Sequence, residues 1–150
     1  MHTSIFHLSF PVRDIESTKE FYVESLGCRI GRQSAVAIML DFHGHQLVAQ
    51  VTEDLGPPQK QIYPRHFGIV CQTEEEWTHV RDRAQKNQLD FFREPQRRFS
   101  GKPIEHLSFF LKDPSNNLLE FKYYLNATAI FGEQSFCQIG DTHERGTPKT

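Results

Sequence analysis

The sequence predicts an α+β fold assembled from two βαβββ modules, and three observations carry the prediction. Short apolar segments alternate at the two-residue period of half-buried strands. Each half also contains one longer segment with an apolar stripe at helical spacing. The order strand, helix, then three strands occurs twice, over residues 4–52 and 65–124. We read residues 1–125 as one domain and residues 126–150 as a tail, polar at its end and partly mobile.

The first module opens with a strand at residues 4–10, where Phe6, Leu8 and Phe10 alternate with Ile5, His7 and Ser9. Pro11 is expected to stop it. Asp14 caps a helix that runs to Leu26, and Gly27 ends it. Strands follow at 28–32, 35–42 and 46–52, with His43-Gly44-His45 turning between the last two. Gly56-Pro57-Pro58 and Pro64 mark a linker over 53–64. The second module begins with a strand at 66–71. Thr73 and the acidic run Glu74-Glu75-Glu76 start a helix that reaches Asn87. Strands follow at 90–94, 104–112 and 118–124, and residues 95–103 read as a polar loop. Asp113-Pro114-Ser115-Asn116-Asn117 is a strong turn signal.

Composition limits the function. A chain of 150 residues builds one domain with a real core. A net charge of −2 supplies no general attraction to nucleic acid or anionic membrane. No apolar run is long enough to span a bilayer, and the start lacks the layout of a signal peptide. Three cysteines without a close pair argue for a reducing, cytoplasmic setting and against a thiolate zinc site.

The chemistry is expected at His7, His66 and Glu120. His7 and His66 each belong to the opening strand of a half. Glu120 interrupts the apolar Leu118-Leu119-Glu120-Phe121, and a carboxylate facing a core needs a cation or strong donors. Two imidazoles and one carboxylate on one face of a divalent metal leave positions for water or substrate. Nitrogen and oxygen donors suit Fe(II), Mn(II), Ni(II), Zn(II) or Co(II). A single strand histidine is more often a hydrogen-bonded residue than a ligand; the symmetric pair plus a core carboxylate is what raises this set. The offset of 72 residues between Asp41 and Asp113, each ending a third strand, places Val48 opposite Glu120. His106 shares strand parity with Phe110 and is a candidate acid or base, and Gln50 is the alternative proton handler. Val48, Phe110 and Lys122 are the candidate substrate contacts. Tyr63, Arg65 and Arg97-Arg98 fall in loops or linkers and read as solvated. His43 and His45 read as a turn.

Residues 1–124 resemble the vicinal oxygen chelate superfamily of glyoxalases, bleomycin and fosfomycin resistance proteins and extradiol dioxygenases. The carriers are Phe6-His7-Leu8-Ser9-Phe10-Pro11-Val12-Arg13-Asp14, Phe21-Tyr22-Val23-Glu24-Ser25-Leu26-Gly27, His66-Phe67-Gly68-Ile69, and the run from Phe110 through Asp113-Pro114 to Glu120. The resemblance implies an open, U-shaped, eight-stranded mixed sheet with helices outside. It also implies one divalent metal on His7, His66 and Glu120, a small-molecule substrate with vicinal oxygens, and a homodimer. Glyoxalase I enzymes add a fourth ligand, a Glu in the strand that here holds Val48. A three-ligand set is nearer the extradiol dioxygenases, with iron and oxidoreductase chemistry. Their usual Tyr ten residues before the Glu is Phe110 here. A glyoxalase-type lyase or isomerase, and a binding or resistance protein without catalysis, are the alternatives. The site either closes within one chain or takes His7 from another.

Overall fold

The computed structural model describes residues 2–141. Residues 142–150, the end of the expected tail, lie outside the described residues. Eight strands form two four-stranded mixed sheets. In the first sheet, β1 (His7–Val12), β2 (Arg29–Gln33), β3 (Ala37–Phe42) and β4 (His45–Val51) lie in the order β1-β4-β3-β2. In the second, β5 (Phe67–Val70), β6 (Asp90–Arg98), β7 (His106–Lys112) and β8 (Leu118–Tyr124) lie in the order β5-β8-β7-β6. Each opening strand pairs parallel with the last strand of its module, and the other pairings are antiparallel. The strand order of one sheet repeats in the other, as the duplicated pattern requires.

The helices close one face of each sheet. Helix α1 (Ile15–Lys19) starts at Asp14, whose side chain accepts from the Ser17 amide at 2.7 Å, and continues as π-helix through Glu20–Ser25. The wider turn, closed by Leu26 N–H to Phe21 C=O at 3.0 Å, lets the adjacent Phe21 and Tyr22 both enter the core. Helix α2 (Glu74–Lys86) is capped by Thr73, which accepts from the Glu76 amide at 3.1 Å. It buries Trp77, Val80 and Ala84, and the Trp77 indole N–H donates to Phe121 C=O at 2.9 Å.

One continuous core joins the modules. Phe10, Val12, Leu40 and Leu47 from the first sheet meet Leu107, Phe109, Leu119 and Phe121 from the second. Phe10 packs on Phe67 with ring centroids 5.2 Å apart. The Asp113 turn fastens them further. Tyr22 donates its buried hydroxyl to Asp113 Oδ2 at 2.7 Å, and Asn117 Nδ2 donates to Pro11 C=O at 2.8 Å.

Two expectations fail, both at prolines. Pro11 does not stop β1, which continues to Val12. Pro95 lies inside β6, which runs through most of the segment read as a loop. Both strands are sheet edges, where a missing N–H leaves no ladder bond unmade, and the β6–β7 register shifts between Arg93 and Gln96.

Candidate metal and substrate site

Paired residues on adjacent strands point to the same face of a sheet. In the second sheet the registers Gly68↔Glu120, Phe110↔Glu120, Ser108↔Lys122, His106↔Tyr124, Arg93↔Phe110 and Arg98↔His106 therefore define one face. It lies opposite the core face of Phe109, Leu119 and Phe121. Glu120, Lys122, His106 and Phe110 all belong to it. His66 precedes β5 with the same parity as Gly68.

His66 and Glu120 meet there. His66 Nε2 lies 3.1 Å from Glu120 Oε2. Two metal bonds of about 2.1 Å at a right angle would separate their donor atoms by about 3 Å, so this pair is spaced as two neighbouring ligands. The remaining atoms of each group are already held. His66 Nδ1 is 2.7 Å from Ile62 C=O, which leaves Nε2, the nitrogen facing Glu120, as the one a metal would take. Ser108 donates its hydroxyl to Glu120 Oε1 at 2.9 Å, and Lys122 Nζ lies 3.3 Å from Oε2. The Glu120 hydrogen bond raises the His66 pKa, against a smaller opposing effect of burial. Burial would raise Glu120, but His66, Lys122 and Ser108 together hold its carboxyl below the ordinary value.

Close approach of β5 and β8 depends on Gly68. A Cβ at that position would lie 1.7 Å from the Glu120 backbone oxygen. Only glycine lets β5 approach β8 this closely while bringing His66 to Glu120.

His7 is elsewhere. It lies on the first sheet, exposed, with Nδ1 2.7 Å from Gln46 Oε1, so its Nε2 is likewise the nitrogen a metal would take. Its face also carries Ser9, Val48, Gln50 and Met39 by register. Ser9, two residues past His7, pairs with Val48 as Gly68, two past His66, pairs with Glu120. Val48 is thus the positional counterpart of Glu120 and brings no fourth carboxylate. Gln50 shares the His7 face and is not on the His66 sheet face. Among the described residues, no three His, Cys, Asp or Glu side chains gather closely enough to hold a metal. One chain therefore presents two donors on one sheet and the third on the other.

His106 sits between the rings of Phe99 and Tyr124, at 5.8 and 5.0 Å. Its Nδ1 faces Ile104 C=O at 3.0 Å. Its Nε2 is buried and has no hydrogen-bond partner among the described residues. Burial pushes its pKa below the ordinary imidazole value, and the Lys122 and Arg98 charges add to that. Phe110 is 1% exposed and meets the His66 ring edge-on at 5.0 Å. Beside His66, the seam between the modules opens into a cavity of about 480 Å³ with Leu8, Phe10, Pro58 and Leu118 in its walls.

Sequence reasoning missed Ser108, Arg93 and Asp141, and it read Arg98 as solvated. Ser108 has the parity of His106 and Phe110, so that signal was present. Arg98 is on β6 rather than in a loop, with its side chain 13% exposed.

The sequence model of the Glyoxalase/Bleomycin resistance protein/Dioxygenase superfamily matches residues 4–121. The chain belongs to this superfamily. The solved glyoxalase/bleomycin resistance protein/dioxygenase from Alicyclobacillus acidocaldarius is 40% identical, with TM-score 0.81 over 86% of this chain and 97% of that one. The fosfomycin resistance protein FosX from Listeria monocytogenes is 16% identical, with TM-score 0.64 over 82% of this chain and 94% of that one. Lactoylglutathione lyase from Agrobacterium tumefaciens is 15% identical, with TM-score 0.61 over 81% of this chain and 94% of that one. At these identities the last two share the fold alone. No curated protein matches the chain. Superfamily members commonly bind a divalent metal and act on small molecules as dimers, and they include both enzymes and non-catalytic proteins. No helix among the described residues is long and apolar enough to cross a membrane.

Proposed function

We propose that this chain is a metal-dependent enzyme of the superfamily acting on a small molecule with vicinal oxygens. His7 of one copy and His66 and Glu120 of a second copy hold one divalent metal in a homodimer. The observation that carries this is the His66 Nε2 to Glu120 Oε2 spacing of 3.1 Å. His7 and His66 also both have Nδ1 anchored on an oxygen, so each would offer Nε2 to a metal, His66 in place of its contact with Glu120. A second copy is the natural source of the third donor, because His7 stands exposed on an open sheet face. Ile5 and Phe6, just ahead of β1, are 66% and 58% exposed, which is apolar surface of the kind a partner covers.

The donor set is nearest that of extradiol dioxygenases, and Fe(II) is the metal we favour over Mn(II), Ni(II), Zn(II) or Co(II). The metal, when bound, would lower the pKa of substrate oxygens and stabilise charge that develops on them. The chain's own groups would do the rest. Phe110 and Val48 line the substrate space and exclude water. Lys122, beside Glu120, offers a cation to an anionic oxygen. His106, held neutral by burial, can accept a proton at Nε2. That unpartnered nitrogen also favours a second reading, lyase or isomerase chemistry at the same three donors. Three free thiols fit a reducing, cytoplasmic setting.

Metal analysis of protein purified without added metal or affinity tag tests the proposal. About one ion per chain is expected, lost in folded His66→Ala and Glu120→Gln variants. Oxygen consumption with a catechol panel then separates dioxygenase from isomerase chemistry. Wild-type protein that takes up no metal at micromolar concentration would leave a binding protein without catalysis.

A further inference from the structure

The segment after β8 returns across the open face of the second sheet. It passes through a short 3₁₀ turn (Ala127–Ala129) and ends, within the described residues, at Asp141. With His106, Lys122 and Tyr124 below it, the segment encloses a cavity of about 320 Å³. Asp141 and Gly140 are held by contacts with Tyr63. Asp141 N–H donates to the Tyr63 hydroxyl at 2.8 Å, and the Tyr63 ring lies 5.9 Å from His66. Gly140 adopts φ +56, and a Cβ there would fall 2.2 Å from the Tyr63 hydroxyl. The positive φ favours glycine here, and any larger residue would push the Tyr63 hydroxyl aside.

The Asp141 carboxylate bridges two arginines of β6. Arg93 Nη1 donates to Oδ2 at 2.6 Å, and Arg98 Nη2 donates to Oδ1. The Arg93 guanidinium lies over the Phe110 ring at 5.9 Å, and Arg98 over Phe99 at 5.1 Å. Each carboxylate oxygen thus takes one guanidinium, in a clamp walled by aromatic rings. By register, Arg93, Phe110 and Glu120 lie side by side on three neighbouring strands. That places the Arg93 backbone about 10 Å from the Glu120 backbone. Arg93, Arg98 and Lys122 put three cations on this face against Glu120, and Asp141 is an anion that offsets part of the excess. Burial would raise the Asp141 carboxyl, but Arg93 and Arg98 outweigh it and hold the pKa low, so it stays ionised at neutral pH.

We propose that Arg93 and Arg98 form an anion subsite for the substrate, and that Asp141 occupies it as an intramolecular stand-in. The substrate then carries a carboxylate or phosphonate group at one end, in addition to the vicinal oxygens. Its anionic group displaces Asp141 from the two arginines, leaving the oxygens to reach His66 and Glu120. The placement of the substrate rests on the function proposed above; the anion subsite itself does not need a metal.

The test uses full-length protein stripped of metal by a chelator, titrated calorimetrically with benzoate and, separately, with phenylphosphonate. Docked Asp141 reduces the fraction of protein able to bind, so apparent affinity rises when it is neutralised. Asp141→Asn is expected to bind at least one probe about tenfold more tightly than wild type. The probe that binds better identifies the anionic group. Adding Arg98→Gln to Asp141→Asn should abolish the gain. Arg93→Gln serves if the Arg98 variant does not fold. Equal affinity in wild type and Asp141→Asn would overturn the proposal, as would undiminished binding after loss of the arginine. Metal uptake by wild type separates this result from the metal reading. If Asp141→Asn binds the probe about tenfold more tightly while wild type takes up no metal, the anion subsite stands and the enzyme reading falls.

Discussion

Gly68→Ala is the sharpest perturbation of how the site is built. The added methyl would meet the Glu120 backbone oxygen at 1.7 Å, the carbonyl carbon at 2.6 Å and the nitrogen at 2.8 Å. An ordinary carbon–oxygen contact is about 3.4 Å, so the overlap is near 1.7 Å and its partner is backbone with no rotamer to escape into. Either β5 must leave β8 or both strands must twist. Overpacking against a mobile neighbour costs 1–3 kcal/mol, and against a fixed strand about 3 kcal/mol is expected. For a chain of this size each kcal/mol moves Tm by about 2–4 °C, so a fall of about 6–12 °C follows. Thermal unfolding by circular dichroism measures it, with Val70→Ala as control. Val70 lies two residues on, on the same face and exposed, and its truncation should cost under about 1 kcal/mol. The displacement also draws His66 from Glu120, so metal uptake should fall in protein that remains folded. A Gly68→Ala protein melting within about 2 °C of wild type would refute the register that places this glycine against Glu120.

Two further substitutions probe different links. Tyr22→Phe removes the buried hydroxyl that donates to Asp113 and should cost about 1–2 kcal/mol in urea denaturation. A loss below about 0.3 kcal/mol would mean that the turn does not fasten the modules as described. His106→Phe tests the pH response. Burial lowers the folded His106 pKa from 6.5, with Lys122 and Arg98 adding to it and Ile104 C=O and Glu120 opposing. The unfolded chain therefore binds the proton first. The stabilisation is present above pH 6.5 and is lost as pH falls toward the lower folded value. His106→Phe should flatten stability between pH 7.5 and 5 relative to wild type, and an unchanged slope would exclude a buried, neutral His106.

Much of the fold was legible because alternation and helical stripes report which face of an element meets the core. The two modules and the succession of strands and helix along each follow from that pattern. Pro11 and Pro95 misled because a proline breaks only a strand that needs its N–H, and edge position is a property of the sheet. For the candidate site, only the strand faces were legible. The parity of His66, Ser108, Phe110 and Glu120 is written in the strands. Periodicity does not state which sheet face meets which, so the separation of His7 from His66 and Glu120 within one chain could not be read. The Asp141 clamp joins β6 to a segment without periodicity, 43 and 48 residues away, and left no local signal.

The central claim is that the metal site takes His7 from one copy and His66 and Glu120 from another, and subunit mixing tests it directly. His7→Ala and Glu120→Gln are purified separately, each expected to hold no metal, then dissociated, mixed equally and reassociated before metal analysis. In a shared-site dimer, half the products are heterodimers, each with one intact and one doubly damaged site. The mixture should recover about one quarter of the wild-type metal content. No recovery, in a mixture shown to contain heterodimers, would contradict the shared site and require all three ligands to come from one chain.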